Sequence, residues 1–207
     1  MAMVITPVKY PTELQNQSNG DLEPALLADI GFGTKMLATP AVWFKVMKAE
    51  FERATGRVLN FTYGGGYRSW QSQYNLFISR YEKVSYATYL ITPSNRRKVW
   101  EAEQGIRKMF NPSTSYWRKK QIGTLPNGQP RYPATAAVPG KSNHGWGLAI
   151  DLAIGVPSSA VSLTAADRAW LEANVARFGF SYEDASEPWH VRYVVGDVCP
   201  PFINETR

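Results

Sequence analysis

Ser142-Asn143-His144-Gly145-Trp146-Gly147-Leu148-Ala149-Ile150-Asp151 is the stretch that decides the fold. From Leu148 onward apolar and small residues alternate, which reads as a β-strand running to Ile154. Leu148, Ile150 and Leu152 share one face and suit a core. Ala149, Asp151 and Ala153 share the other, so Asp151 is an acid among small neighbours that leave room beside it. His144 lies seven positions before Asp151, an odd spacing that would place the two on opposite faces of one unbroken strand. Gly145 and Gly147 permit a bend before the strand begins, and the bend can bring them together.

Working outward, Thr39-Pro40 reads as an N-cap followed by proline at the first helical position. Val42, Val46, Met47 and Phe51 recur at helical spacing, and Gly56 closes that segment. Val58 to Tyr63 reads as a strand, broken by Gly64-Gly65-Gly66. Ser69 caps a second helix with Trp70, Tyr74, Phe77 and Tyr81 along one stripe. A third helix is expected from Ser94 to Phe110. Residues 111–141 show no period and many proline and glycine breaks, so a long loop is expected. Thr164, with Asp167 three positions later, opens a helix that runs to Phe178, and Gly179 ends it. Val191 to Val195 is a final strand. With no βαβ repeat, the expectation is an α+β fold, an antiparallel sheet with flanking helices. One domain over 1–207 is expected, with 1–37 as an extended N-terminal arm.

The chain has 207 residues, 13% of them aromatic and seven of them tryptophan, which argues against disorder. A single cysteine, Cys199, excludes a disulfide framework and a cysteine-rich zinc ribbon. No apolar run reaches the roughly 20 residues of a membrane span, so no membrane partner is expected. The first residues lack the basic and apolar regions of a secretory signal. The net charge of +6 is local. Arg96, Arg97, Lys98, Arg107, Lys108, Arg118, Lys119, Lys120 and Arg131 face only Glu101 and Glu103 between 96 and 131. That segment is either a solvated basic face or an attachment to a polyanion, and an anionic cell wall fits better than nucleic acid. No helix-turn-helix, RNP-type or zinc-finger pattern accompanies it.

The chain's two histidines, His144 and His190, each have a carboxylate nearby. His190 stands at the mouth of the last strand, after Glu187-Pro188-Trp189. Two neutral imidazoles and Asp151 form a three-ligand set for zinc that keeps a fourth position open. Glu187, three residues before His190, is placed to serve as a base. The His-Glu-x-x-His helix of another metallopeptidase class is absent.

These residues carry a resemblance. Ser142-x-His144-x-x-Gly147-x-Ala149-x-Asp151 resembles the Ser-x-His-x-x-Gly-x-Ala-x-Asp signature of zinc D-alanyl-D-alanine carboxypeptidases and L-alanyl-D-glutamate endopeptidases. Glu187-Pro188-Trp189-His190 resembles that family's Glu-x-Trp-His, and Tyr67-Arg68-Ser69 with Gln73 its Tyr-Arg-Ser-x-x-x-Gln. With Ala137-Val138-Pro139-Gly140 before Ser142, the combination looks most like endolysins of phages that infect actinobacteria. The resemblance implies a hedgehog/D,D-peptidase fold, with zinc on His144, Asp151 and His190. It implies Glu187 as catalytic base and Arg68 as the arginine that holds the substrate carbonyl and its oxyanion. Gln73 and Ser142 fall at substrate-binding positions, although Ser142 could equally cap the His144 turn. Trp146 and Trp189 are either walls of the site or core. The implied partner is bacterial peptidoglycan, met by a monomer. A phage lysin would pass from the host cytoplasm to the wall through a holin pore. The alternatives are a bacterial D-alanyl-D-alanine dipeptidase or carboxypeptidase, and a non-catalytic wall-binding module on the same fold.

Overall fold

The computed structural model describes residues 3–91, 96–99 and 115–201. In chain order its longer elements are β1 (Leu27–Gly31), β2 (Thr34–Leu37), α1 (Ala38–Thr55), β3 (Leu59–Phe61), α2 (Trp70–Arg80), β4 (Tyr81–Val84), α3 (Tyr86–Ile91), β5 (Arg96–Val99), β6 (Ser115–Lys119), β7 (Gly123–Thr124), β8 (Pro130–Arg131), β9 (Ala149–Ile154), α4 (Ala165–Asn174), β10 (Phe180–Tyr182) and β11 (His190–Tyr193). They fall into two compact units. One comprises 1–17, 21–68 and 143–207, the other 18–20 and 69–142.

In the first unit β9 is the organising strand. It pairs antiparallel with β11 on one side and β3 on the other, and β10 completes the order β10-β11-β9-β3. The alternation read in the sequence is realised, since Leu148, Ile150 and Leu152 are all buried. Helix α1 covers the sheet with Ala41, Phe44, Met47 and Phe51, spaced three and four apart so that they form one stripe. Burying a phenylalanine such as Phe44 contributes about 1.5–3 kcal/mol. Val42, expected in that stripe, is exposed instead. The helix also starts earlier than Thr39-Pro40 suggests: Leu37 is the cap, and Pro40 sits in the first turn, where a missing N–H breaks no helical bond. Gly56 ends it at φ 68°. Helix α4 has the expected capping box, Thr164 and Asp167 bonding each other's backbone N–H. It gives way to a 3₁₀ turn, Val175–Phe178, before Gly179. The segment expected as an extended arm folds further than that, with 3₁₀ turns and the antiparallel hairpin β1-β2.

In the second unit the Ser69 hydroxyl accepts the Ser72 N–H and so caps α2, as expected. Phe77 and Tyr81 of the expected stripe are buried with Trp117, the Phe77 ring 4.6 Å from Tyr81 and 5.2 Å from Trp117 between centroids. Strands β4-β6-β5 form an antiparallel sheet, and β7-β8 a small hairpin. Residues 111–141 therefore hold strands where a loop was expected. The helix expected over 94–110 is contradicted at Arg96–Val99, which pair with β6 as a strand. Its other residues lie outside those described. Among the described residues no helix is long and apolar enough to cross a membrane.

Candidate metal centre

Backbone pairing places two of the expected ligands side by side. Asp151 of β9 is the direct cross-strand partner of His190, the first residue of β11. Paired residues point to the same face, so the Asp151 carboxylate meets the His190 ring, with Oδ1 2.8 Å from Nδ1. His144 arrives from outside the sheet, on the 3₁₀ turn Asn143–Trp146. Gly147, at φ 66°, makes the bend into β9. The His144 carbonyl accepts the Gly147 and Arg68 N–H groups, which fixes the turn.

His144 Nδ1 lies 2.9 Å from the Gly66 carbonyl, which can only accept, so Nδ1 carries the proton. Nε2 faces Asp151 Oδ2, 3.4 Å away. His144, Asp151 and His190 each offer one ligand atom, all within 4.8 Å of one another. His144 and His190 are buried, and Asp151 is half-buried. Arg68 brings a guanidinium nitrogen to 4.0 Å from Asp151 Oδ2.

The charges answer one another. Burial opposes ionisation of Asp151, but its interactions with the His144 and His190 imidazoles outweigh it and hold the carboxyl well below the usual carboxylate range. Burial pushes the His144 imidazole down, toward the neutral form that ligates a metal. Burial also works against a charge on His190, yet its bonds to Asp151 and Glu183 lift it to about 9. Two imidazoles and a carboxylate, each offering one ligand atom within 4.8 Å of the others, match the ligand number and type of a catalytic zinc site. On these grounds the residues fit the metal.

Glu183 was not among the residues the sequence singled out. Its Oε2 lies 2.8 Å from His190 Nε2. Burial opposes its charge, but bonds from His190 and Asn143 bring the carboxyl down to about 2. Glu187 lies on the turn that leads into β11; its N–H donates to the Asp184 carbonyl, and its own carbonyl accepts the His190 N–H. Gln73 and Ser142 belong to the second unit, where both are buried. There the Gln73 amide donates to the Ala137 carbonyl, and the Ser142 carbonyl accepts from Asn19. Trp146 packs on the main core. Trp189 is exposed, and with Asp151, Ala153 and Arg168 it lines a cavity of about 320 Å³.

A three-ligand centre on an antiparallel sheet, with an acidic residue just ahead of its last histidine, has the makings of a metal-dependent hydrolase. The family model VanY, D-alanyl-D-alanine carboxypeptidase, matches residues 43–197, a span that contains all three motifs, and the chain belongs to that family. Among solved structures it is similar to a vancomycin-resistance D,D-pentapeptidase VanY variant from a VanB-type resistance cassette, in complex with Zn(II). That match has 20% identity and a TM-score of 0.48, over 92% of this chain and 86% of the other. It is similar to VanYB in complex with D-alanine-D-alanine, at 20% identity and a TM-score of 0.49, over 92% and 85% of the two chains. For the LD-carboxypeptidase LdcB the values are 21%, 0.47, and 90% and 76%. A search of curated proteins returned no match.

Proposed function

We propose that this chain is a zinc-dependent peptidase that hydrolyses peptide bonds in the stem or cross-bridge peptides of bacterial peptidoglycan. The observation that carries this reading is the convergence of His144, Asp151 and His190 within 4.8 Å in a member of this family. Zinc, when bound by these three residues, would supply the Lewis acidity that activates water and polarises the scissile carbonyl. The remaining work falls to the chain itself. Glu187 accepts the proton of the attacking water and passes it to the leaving amine. Arg68, permanently charged and able to donate from a planar fork, takes the developing oxyanion. The cavity beside Asp151, kept open by Ala153 and bounded by Trp189, offers room for a substrate group.

The local charge surplus between 96 and 131 supports attachment to anionic wall polymers, and with it a phage endolysin that cuts within the wall. The description of the family model favours a second reading, a bacterial carboxypeptidase that trims D-alanine from stem termini. Purified peptidoglycan digested with and without chelator, then read by mass spectrometry and turbidity, tests both. Freed stem peptides with falling turbidity are expected for the lysin. Release of D-alanine from an intact net would select the carboxypeptidase. No chelator-sensitive cleavage of either kind would overturn the peptidase reading.

A further inference from the structure

Both histidines of the cluster are gripped from behind, and the two grips differ in chemistry. His144 is held by a neutral backbone carbonyl, that of Gly66. His190 is held by a carboxylate, Glu183, whose Oε2 lies 2.8 Å from Nε2 while Nδ1 faces Asp151. The two nitrogens of an imidazole point away from each other, so Glu183 stands on the far side of the ring from the three ligand atoms. The sheet explains how it gets there. Tyr182 of β10 pairs with Val191 of β11, and Glu183 follows one step beyond, level with His190.

Glu183 is itself held in place. Asn143 Nδ2 lies 2.9 Å from each of its two oxygens, and Arg192 Nη1 lies 3.2 Å from Oε1. Asn143 is the neighbour of His144, and Arg192 is two residues beyond His190 on β11. One carboxylate therefore links the two chain segments that carry the histidine ligands. Its capacity is directed: Oε1 takes Arg192, and Oε2 is aimed at His190.

We infer that Glu183 is a positioning residue for the metal centre: it accepts the Nε2–H of His190, fixes the ring's tautomer and rotation, and presents Nδ1 to the ion. The inference rests on the proposed reading of the cluster as a zinc site. A carboxylate behind a ligating imidazole raises the basicity of the nitrogen in front, and losing such a partner typically weakens metal binding by about 10–100-fold.

The test uses the full chain and zinc alone. Zinc affinity is measured by competition with a chromophoric chelator for the wild type, Glu183→Ala and Glu183→Gln, alongside the melting temperature of each metal-free protein. Glu183→Ala should bind zinc about 10–100-fold more weakly. Glu183→Gln, which keeps an acceptor oxygen without the charge, should recover part of that loss. Should Glu183→Ala fail to fold, the zinc-loaded wild type still decides the matter by NMR. There the His190 Nε2–H should be shifted downfield and exchange slowly. An Nε2–H that exchanges like that of free imidazole overturns the inference, as does a Glu183→Ala variant that binds zinc within about twofold of wild type. A loss that Gln does not relieve, and that merely follows a lowered metal-free melting temperature, also overturns it, by assigning Glu183 to the fold alone. A wild type that takes up no zinc overturns the metal reading itself and the positioning role with it. A wild type that binds zinc as tightly as Glu183→Ala removes only the latter.

Discussion

Alanine at Gly147 should be among the most damaging single-methyl changes in this protein, and the structure shows where the damage comes from. Gly147 has φ 66°, a left-handed conformation that costs an L-residue about 1–2 kcal/mol. A Cβ there would lie 2.7 Å from the Leu37 backbone nitrogen, with Leu37 Cβ at 3.3 Å and Leu27 Cδ2 at 3.4 Å. No rotamer change relieves an overlap with backbone, and Leu37 is the buried cap of α1, so the strain of overpacking adds about 1–3 kcal/mol. The Leu37 N–H also donates to the Gly147 carbonyl at 2.9 Å, and loosening that bond adds about 0.5–1.5 kcal/mol. Together these give about 2.5–6.5 kcal/mol, a large part of the stability of an ordinary domain. Gly56→Ala is the matched control. It has the same kind of φ, 68°, but its Cβ would meet nothing within 4 Å, so it should cost only the backbone share, about 1–2 kcal/mol. Denaturant unfolding of both variants in the metal-free state measures the difference. If they lose the same stability within about 0.5 kcal/mol, the steric argument is wrong.

Three further outcomes are expected. Glu187→Gln should keep near-normal zinc while turnover on a peptide substrate falls by about 10²–10⁴-fold, whereas Asp151→Asn should lose zinc and activity together. Elemental analysis beside a rate assay separates them, and a nearly fully active Glu187→Gln would remove that residue as the base. The metal-free protein should lose stability as pH rises from about 6.5 to 9. Burial opposes the His190 charge but its bonds to Asp151 and Glu183 raise the folded pKa to about 9, so its contribution is complete below the unfolded value and gone above the folded one. Thermal melts in chelator across that range check the sign, and a flat profile would refute it. Finally, retention on purified cell walls should fall with added salt if the basic residues between 96 and 131 hold the enzyme there, since exposed charges are screened beyond about 8 Å at physiological ionic strength. Unchanged retention in a pull-down at rising salt would assign that segment to ordinary solvation.

What the sequence could express was whatever is encoded within a few residues. The Thr164–Asp167 capping box, the Gly56 stop and the alternation of β9 are local, and each is found where its pattern lies. His144, Asp151 and His190 were legible because two histidines with acids nearby narrow the choice. The Gly145-Trp146-Gly147 bend was legible too, though only Gly147 takes the positive φ. Glu183 was not, because its role depends on the register between β10 and β11, and nothing in the local composition fixes a pairing across a turn. The same limit explains Arg96–Val99. Three basic residues and a valine carry no strand signal alone, and they become one by pairing with β6. Hairpin β1-β2 was missed because its strands are only five and four residues long, too short for an alternation to show, and they become strands by pairing with each other.

Asp151 and His190 meet because the main chain pairs them, through hydrogen bonds between β9 and β11, and His144 is held by carbonyl and amide bonds of its own turn. Their spacing belongs to the sheet rather than to the side chains. Inserting or deleting a single residue within β9 would turn Asp151 to the opposite face of the sheet from His190, and would dismantle the cluster with all three of its residues still in the chain.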